Sequence, residues 1–284
     1  MNLVFVLAIS LLGSQAGDSI PMPVQYDHAF AVETRIHRTR RTGNAEPLVM
    51  DETWHVDVQP TDEGFKTIWR DLGEQSRTDM LVETNERLQP MRLTNLDAVW
   101  SERGAAVLRF STNNSEIAQP LTQTIPPAAR QALLLRAATL LATGQGMHLV
   151  VGEPLVQRLP GQRIGDTPSP SILSTITLVS VDEPSGKAVV TWVTELDPKE
   201  VEAGLPGMVR AMLGLSEDDS VKLADFDEML DEAVMTNQRN CRYNIDLSSG
   251  LAEQMVCRGS TNFTVGDRVE KTEEQMEATQ RLIP

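Results

Sequence analysis

Residues 239–259 read RNCRYNIDLSSGLAEQMVCRG, two alternating segments on either side of Ser248-Ser249-Gly250. A three-residue loop with Gly250 as its left-handed residue would join them as an antiparallel hairpin. Pairing Leu247 with Leu251 sets Tyr243 opposite Met255 and Cys241 opposite Cys257. One face then carries Cys241, Tyr243, Ile245 and Leu247 with Leu251, Met255 and Cys257. The other carries Asn240, Arg242, Asn244 and Asp246 with Gln254 and Arg258. Register, alternation and cysteine spacing agree, so the segment is expected to lay one face on a core. A disulfide between Cys241 and Cys257 is expected, with two buried free thiols as the alternative. Closing so short a loop would contribute on the order of 3 kcal/mol.

The same period-two pattern recurs upstream. Residues 30–38 set Phe30, Val32, Thr34 and Ile36 against Glu33, Arg35 and His37; residues 53–58 turn Trp54, Val56 and Val58 inward; residues 65–69 return with Phe65, Thr67 and Trp69. Turns at 42–44 and 60–64 separate them, and a further pair is expected at 80–84 and 88–93, which predicts an antiparallel meander. Residues 97–108 read as a helix or helix-strand mixture broken at Gly104. Residues 126–143, PPAARQALLLRAATLLAT, are the strongest helical segment. It has Pro at its start, Gly144 at its end, and an apolar stripe of Leu133, Leu134, Ala137, Leu140 and Leu141 with Arg130 and Arg136 away from it.

Strands resume at 147–151 and 155–158. A Gly- and Pro-rich stretch, 160–170, marks a seam, and 172–181 with 187–194 form a hairpin. An apolar helix is expected at 205–215 and an acidic helical stretch at 216–234. Residues 269–283 are a charged tail or a final strand. The fold class is therefore α+β: curved antiparallel sheet packed against helices. Its parts are a leader at 1–16 and two sheet-plus-helix halves, 17–159 and 160–284, or one continuous domain. The 81–95 segment is laid out like 243–259, which fits either a duplicated unit or two ordinary hairpins.

Composition narrows the function. A net charge of −15 opposes binding to nucleic acid or anionic lipid, and 4% aromatics leaves few stacking platforms. Residues 3–12, LVFVLAISLL, have the length of a signal-peptide core, and Ser14-Gln15-Ala16 offers small residues for cleavage near Ala16. No Lys or Arg precedes the run and no Cys follows it, so a lipoprotein anchor is not encoded. Ten apolar residues are too few to span a bilayer of roughly 30 Å. The expected location is exported, periplasmic or secreted, and one disulfide suits that compartment.

Chemistry-bearing motifs are absent from the sequence. His28, His37, His55 and His148 show no zinc-ligand spacing, and no nucleophile elbow or phosphate-binding glycine loop occurs. No metal, cofactor or catalytic residue is expected. The acidic runs 217–219 and 225–232 have helical rather than calcium-loop periodicity. Residues 35–41, RIHRTRR, are the one basic cluster and would alternate over both faces of a strand. Asn113 and Asn262 head glycosylation sequons.

The leader, the 30–69 meander, the 126–143 helix and the hairpin around Ser248-Ser249-Gly250 together resemble uncharacterised exported bacterial proteins and, more distantly, the LolA/LolB-type half-barrels. That resemblance implies a curved sheet wrapped round helices with an apolar cavity, and a carrier role, but it places no functional residue. The leading expectation is a non-enzymatic protein binding an apolar ligand or an envelope-protein partner between sheet and helix, the 12 methionines being suited to an adaptable lining. The alternatives are an enzyme with a site assembled from distant residues, His55 and Asp57 being the candidates, and a purely structural envelope protein.

Overall fold

The computed structural model describes residues 19–21, 29–73, 77–112, 122–143, 145–160, 163–164, 167–168, 170–202, 204, 233–265 and 268–283. The leader and its cleavage site, His28, the Asn113 sequon, the expected helix at 205–215 and the acidic runs at 217–232 lie outside the described residues.

The first meander comprises β1 (Ile20–Pro21), β2 (Phe30–Thr42), β3 (Leu48–Thr61), β4 (Gly64–Asp71), β5 (Met80–Thr84) and β6 (Pro90–Leu93). Helices α1 (Leu96–Thr112), α2 (Pro127–Leu134) and α3 (Arg136–Ala142) follow. Then come β7 (His148–Leu149), β8 (Pro154–Leu159), β9 (Arg163–Ile164), β10 (Thr167–Pro168), β11 (Ile172–Asp182), β12 (Lys187–Leu196), β13 (Val234–Asp246), β14 (Ala252–Val265) and β15 (Arg268–Ile283). Eleven strands form one antiparallel sheet in the order β6-β5-β4-β3-β2-β15-β14-β13-β12-β11-β8; β1 pairs with β7, and β9 with β10.

Residues 268–283 are thus a strand and not a tail. β15 pairs with β2 without a bulge from Thr272↔Thr42 to Ile283↔Ala31, so the strands before and after the helices belong to one sheet. The Cys241–Cys257 hairpin has its expected register through Tyr243↔Met255, with a bulge beyond Asn244. The turn is one residue longer than expected: Gly250 N donates to Asp246 O at 2.7 Å, and Asp246 N to Leu251 O at 3.0 Å. The bulge absorbs that extra residue, and Gly250 has the left-handed φ of 70°. Cys241 and Cys257 are disulfide-bonded across a Cα–Cα distance of 4.0 Å.

Two helical expectations change. Gly104 does not break α1, which runs through it. A Cβ at Gly104 would lie 2.8 Å from the Trp100 ring, so glycine lets that indole fold back across the helix. The 126–143 segment divides at Leu135, whose φ of −86° and ψ of 2° separate α2 from α3.

α3 lies against both β6 and β14. Those strands stand six places apart in the sheet, roughly 29 Å at ordinary strand spacing, whereas a helix with its side chains is about 10–12 Å wide. One short helix can touch both only because the sheet curls around it. The inner face is apolar through Val32, Ile36, Trp54, Val56, Val58, Trp69, Val82, Leu178, Val190, Tyr243 and Met255, in one cluster with Leu140 and Leu141 of α3. The β6 edge is covered: Gln131 of α2 accepts from Leu93 N at 3.1 Å and donates to Met91 O at 3.4 Å.

The Tyr243 hydroxyl donates to Leu140 O at 3.0 Å and ties α3 to the sheet. Burial pushes that hydroxyl above its ordinary range. A raised folded-state pKa favours the native state while the phenol is neutral, and the benefit is lost as pH rises past the unfolded value near 10. The wild type should therefore lose about 1 kcal/mol more unfolding free energy than Tyr243→Phe between pH 8 and 11. Urea titrations at both pH values check this, and parallel losses in the two proteins would disprove it.

Candidate functional site

The inner face is graded along its strands. Two apolar rows cross the sheet centre, Tyr243–Met255–Ala278–Ile36 and Cys241–Cys257–Met276, the second meeting Arg38 on β2. The next row is Arg239–Gly259–Glu274–Arg40, and the one beyond it is Asn237–Thr261–Thr272–Thr42. Asn237 Nδ2 donates to Thr261 Oγ1 at 2.7 Å, and the Thr42 and Thr272 hydroxyls lie 3.2 Å apart. The trough between sheet and α3 therefore passes from hydrocarbon through charge to neutral polar groups.

At its apolar end a cavity of about 30 Å³ is lined by Phe30, Val32, Val56, Val58, Trp69, Ala138, Leu141 and Gln280 among others. It has room for about one water. Thr34 Oγ1 and Gln280 Oε1, on directly paired residues of β2 and β15, are buried without hydrogen-bond partners. A second cavity of about 20 Å³ lies on the other side of Ala137 and Ala138, against Ile36, Trp54 and Leu134. The small α3 side chains facing the sheet leave both spaces.

Two sets of buried charge hold the helices down. In the first, Glu52 accepts from Arg38 Nη2 at 2.6 Å and from Arg103 Nη2 at 2.5 Å, and Arg103 Nη1 donates to Asp71 at 2.7 Å. The Arg103 guanidinium also lies 4.3 Å above the Trp54 ring, which meets Trp69 edge-on at 6.0 Å. This set fastens α1 to β2, β3 and β4. In the second, Arg136, the first residue of α3, donates to Glu274 Oε2 at 2.6 Å, and Arg40 stands 3.9 Å from the same oxygen. Burial presses Arg239 down to about 10, with Arg136 acting in the same direction and Glu274 opposing. Burial likewise lowers Arg40.

The sequence placed Arg136 away from the apolar stripe; the structure turns it onto the sheet. The basic run 35–41 divides as alternation requires. His37 and Arg41 face outward to Asp51 and Glu273, each at 2.6 Å, while Arg38 and Arg40 face inward to Glu52 and Glu274.

His55 and Asp57 are brought together, His55 Nε2 lying 3.0 Å from Asp57 Oδ1, but on the outer face of β3. Arg70 claims the other Asp57 oxygen at 2.5 Å. Neither residue lines any of the three cavities described here. His37 is paired with Asp51, and His148 opens the short strand β7. Among the described residues no group of three His, Cys, Asp or Glu side chains could hold a metal, and no helix is long and apolar enough to cross a membrane. The largest of these three cavities, about 570 Å³, lies on the outer face. Thr39, Arg41, Gln238, Asn240, Arg258, Ser260, Glu273 and Gln275 line it, with Pro47 and the intervening Arg40, Gly259 and Glu274.

No family model matches the chain, and no curated protein matches it. Among solved structures it is similar to a loop L8 deletion mutant of OmpT, an outer membrane protein of Vibrio cholerae. The match has 8% identity over 89% of this chain and 99% of that one, with a TM-score of 0.25. A likeness that weak assigns neither fold nor function to this chain.

The first charge set gives a direct test. Removing one member of a buried network strands the others, at a cost of about 3–5 kcal/mol. Glu52→Ala leaves Arg38 without a carboxylate and Arg103 with Asp71 alone at the α1 interface, and should lower unfolding free energy by about that amount. Glu33→Ala, at an exposed pair, should cost under about 1 kcal/mol. Denaturant melts of the two variants decide; equal losses would show that the buried set contributes nothing special.

Proposed function

We propose that this chain is an exported binding protein that takes an apolar ligand into the trough between the inner face of its sheet and α3. The observation that carries the reading is what fills the trough. The sheet ends at β6 and β8 without pairing them to each other. The segment bridging that gap contributes a separate short helix as the filling. Its polar ties to the sheet include the Tyr243–Leu140 hydrogen bond and the Arg136–Glu274 ion pair. Withdrawing α3 would leave an apolar inner face of ligand size, and Ala137, Ala138 and Ala142 give it little bulk to withdraw. The half-barrel resemblance points the same way, and the disulfide favours an oxidising compartment.

One observation favours a second reading, a purely structural envelope module. The inner cavities, about 30 and 20 Å³, are far below the roughly 300 Å³ of an ordinary ligand pocket. On that reading α3 is permanent core. The enzymatic alternative has weaker support, because its His55–Asp57 pair stands outside every cavity described.

Titration with N-phenyl-1-naphthylamine separates the two. The binding reading expects saturable one-to-one fluorescence enhancement, competed by a long-chain alcohol. It also expects Ala138→Phe, which fills the cavity beside α3, to weaken dye binding at least fivefold. Native mass spectrometry of protein purified from its own cell envelope should show a bound apolar species. No saturable dye binding together with no bound species would leave the structural reading.

A further inference from the structure

The row Arg239–Gly259–Glu274–Arg40 crosses four neighbouring strands on the inner face. Arg136 descends onto it from α3 and takes Glu274 Oε2 at 2.6 Å, leaving Arg40 3.9 Å from that oxygen. Arg136 and Arg40 therefore share one carboxylate, with Glu270 farther along β15 also acting on Arg40, and among the described residues no carboxylate pairs directly with Arg239. Two N–H donors on the same side of β2, Nε of Arg38 and Nε of Arg40, are buried without acceptors. The Arg38 side chain is only 9% exposed. Gly259 keeps the middle of the row open: a Cβ there would meet Arg239 Nε at 3.8 Å, so that guanidinium lies along the sheet beside Gly259.

Uncompensated buried cations are costly, and here they occur in a chain whose net charge is −15. Excess positive charge and orphaned N–H donors coincide where the trough changes from apolar to polar. One group satisfies both, an anion with several acceptor oxygens. Charge-assisted, bidentate contacts of this kind are what guanidinium groups make best.

We propose that Arg40, Arg136 and Arg239 form a receptor for the anionic head group, carboxylate or phosphate, of an amphiphile. Its apolar chain would run under α3 along the Cys241–Cys257–Met276 and Tyr243–Met255–Ala278–Ile36 rows. Glu274 is the internal stand-in for that head group, pairing with Arg136 until the anion displaces it. The chain part rests on the apolar-ligand reading above; the anion part does not.

Calorimetric titration of the full chain with dodecyl phosphate, 1-dodecanol and inorganic phosphate tests the parts separately. Net hydrogen bonds to charged groups of about 1.5–3 kcal/mol correspond to tenfold or more in affinity. Dodecyl phosphate should therefore bind at least about tenfold more tightly than dodecanol. Arg239→Gln and Arg40→Gln should each erase most of that difference and leave dodecanol binding as it was. Glu274→Gln, which removes the competing carboxylate, should tighten dodecyl phosphate binding severalfold, a gain that mere loss of packing would not produce. Equal wild-type affinity for dodecyl phosphate and dodecanol overturns the anion receptor and leaves the apolar reading standing. So does a Glu274→Gln protein that melts normally yet binds dodecyl phosphate more weakly. Binding of inorganic phosphate with no binding of either amphiphile supports the receptor and overturns the apolar reading. Binding of none of the three overturns both.

Discussion

The pairing of β15 with β2 is the constraint on which the rest of this molecule depends. It joins strands from opposite ends of the chain, and ion pairs such as Arg41–Glu273 span 232 residues across it. Closing so long a loop costs only modestly more entropy than closing a short one, because the penalty grows with the logarithm of length. A bulge-free ladder from Thr42 to Ala31 readily offsets it. Without that ladder the β2–β6 meander and the β8–β14 block would be two smaller sheets, each with a bare edge and neither broad enough to curl round α3. With it, both blocks present one continuous inner face, and the rows that cross β13, β14, β15 and β2 exist at all.

Those rows explain why charge sits inside the curl. An inner face with only apolar residues would bury α3 firmly but give no direction to its ends. The polarity gradient supplies direction. Arg136 belongs over Glu274, Leu140 belongs over Tyr243, and Arg103 of α1 belongs over Glu52 and Asp71. Each pairing specifies a position while contributing little net stability, since desolvation offsets most of the Coulombic gain. Stability comes instead from the aromatic and aliphatic rows, where Trp54, Trp69, Val56 and Leu141 meet.

How much of this was legible in the sequence follows from the range of each interaction. The 239–259 hairpin could be read almost to the residue because its turn, alternation and cysteines all report on partners a few residues away. The one slip, a turn one residue longer than expected, was hidden by a compensating bulge that leaves Tyr243 and both cysteines in place. The 30–69 meander was legible for the same reason. Residues 269–283 could be read only as either a charged tail or a final strand, because the inward positions of β15 are Glu274, Met276, Ala278 and Gln280, a mixture with no period-two contrast against its outward residues. Their partners are on β2 and α3, far away in sequence. Alternation divided the 35–41 arginines between two faces, but the inward partners of Arg38, Arg40 and Arg136 were not legible for the same reason: they are Glu52 and Glu274, which nothing local connects to them. His55 and Asp57 illustrate the reverse. Their i,i+2 spacing on a strand guarantees that they share a face, and the inward Trp54, Val56 and Val58 that alternate with them already make that face the outer one.

The tightness of the interior and the expectation of a ligand are not in conflict once the filling is considered separately from the wall. A wall of paired strands is stiff, because opening it breaks a cooperative ladder. α3 is seven residues long, below the length at which a helix is stable by itself, and owes its order to the sheet it lies on. The small cavities beside Ala138 measure how well the helix fits its wall. On the proposed reading the trough's capacity would be set by the sheet, and its occupant by whichever partner better satisfied both the apolar rows and the arginines at their end.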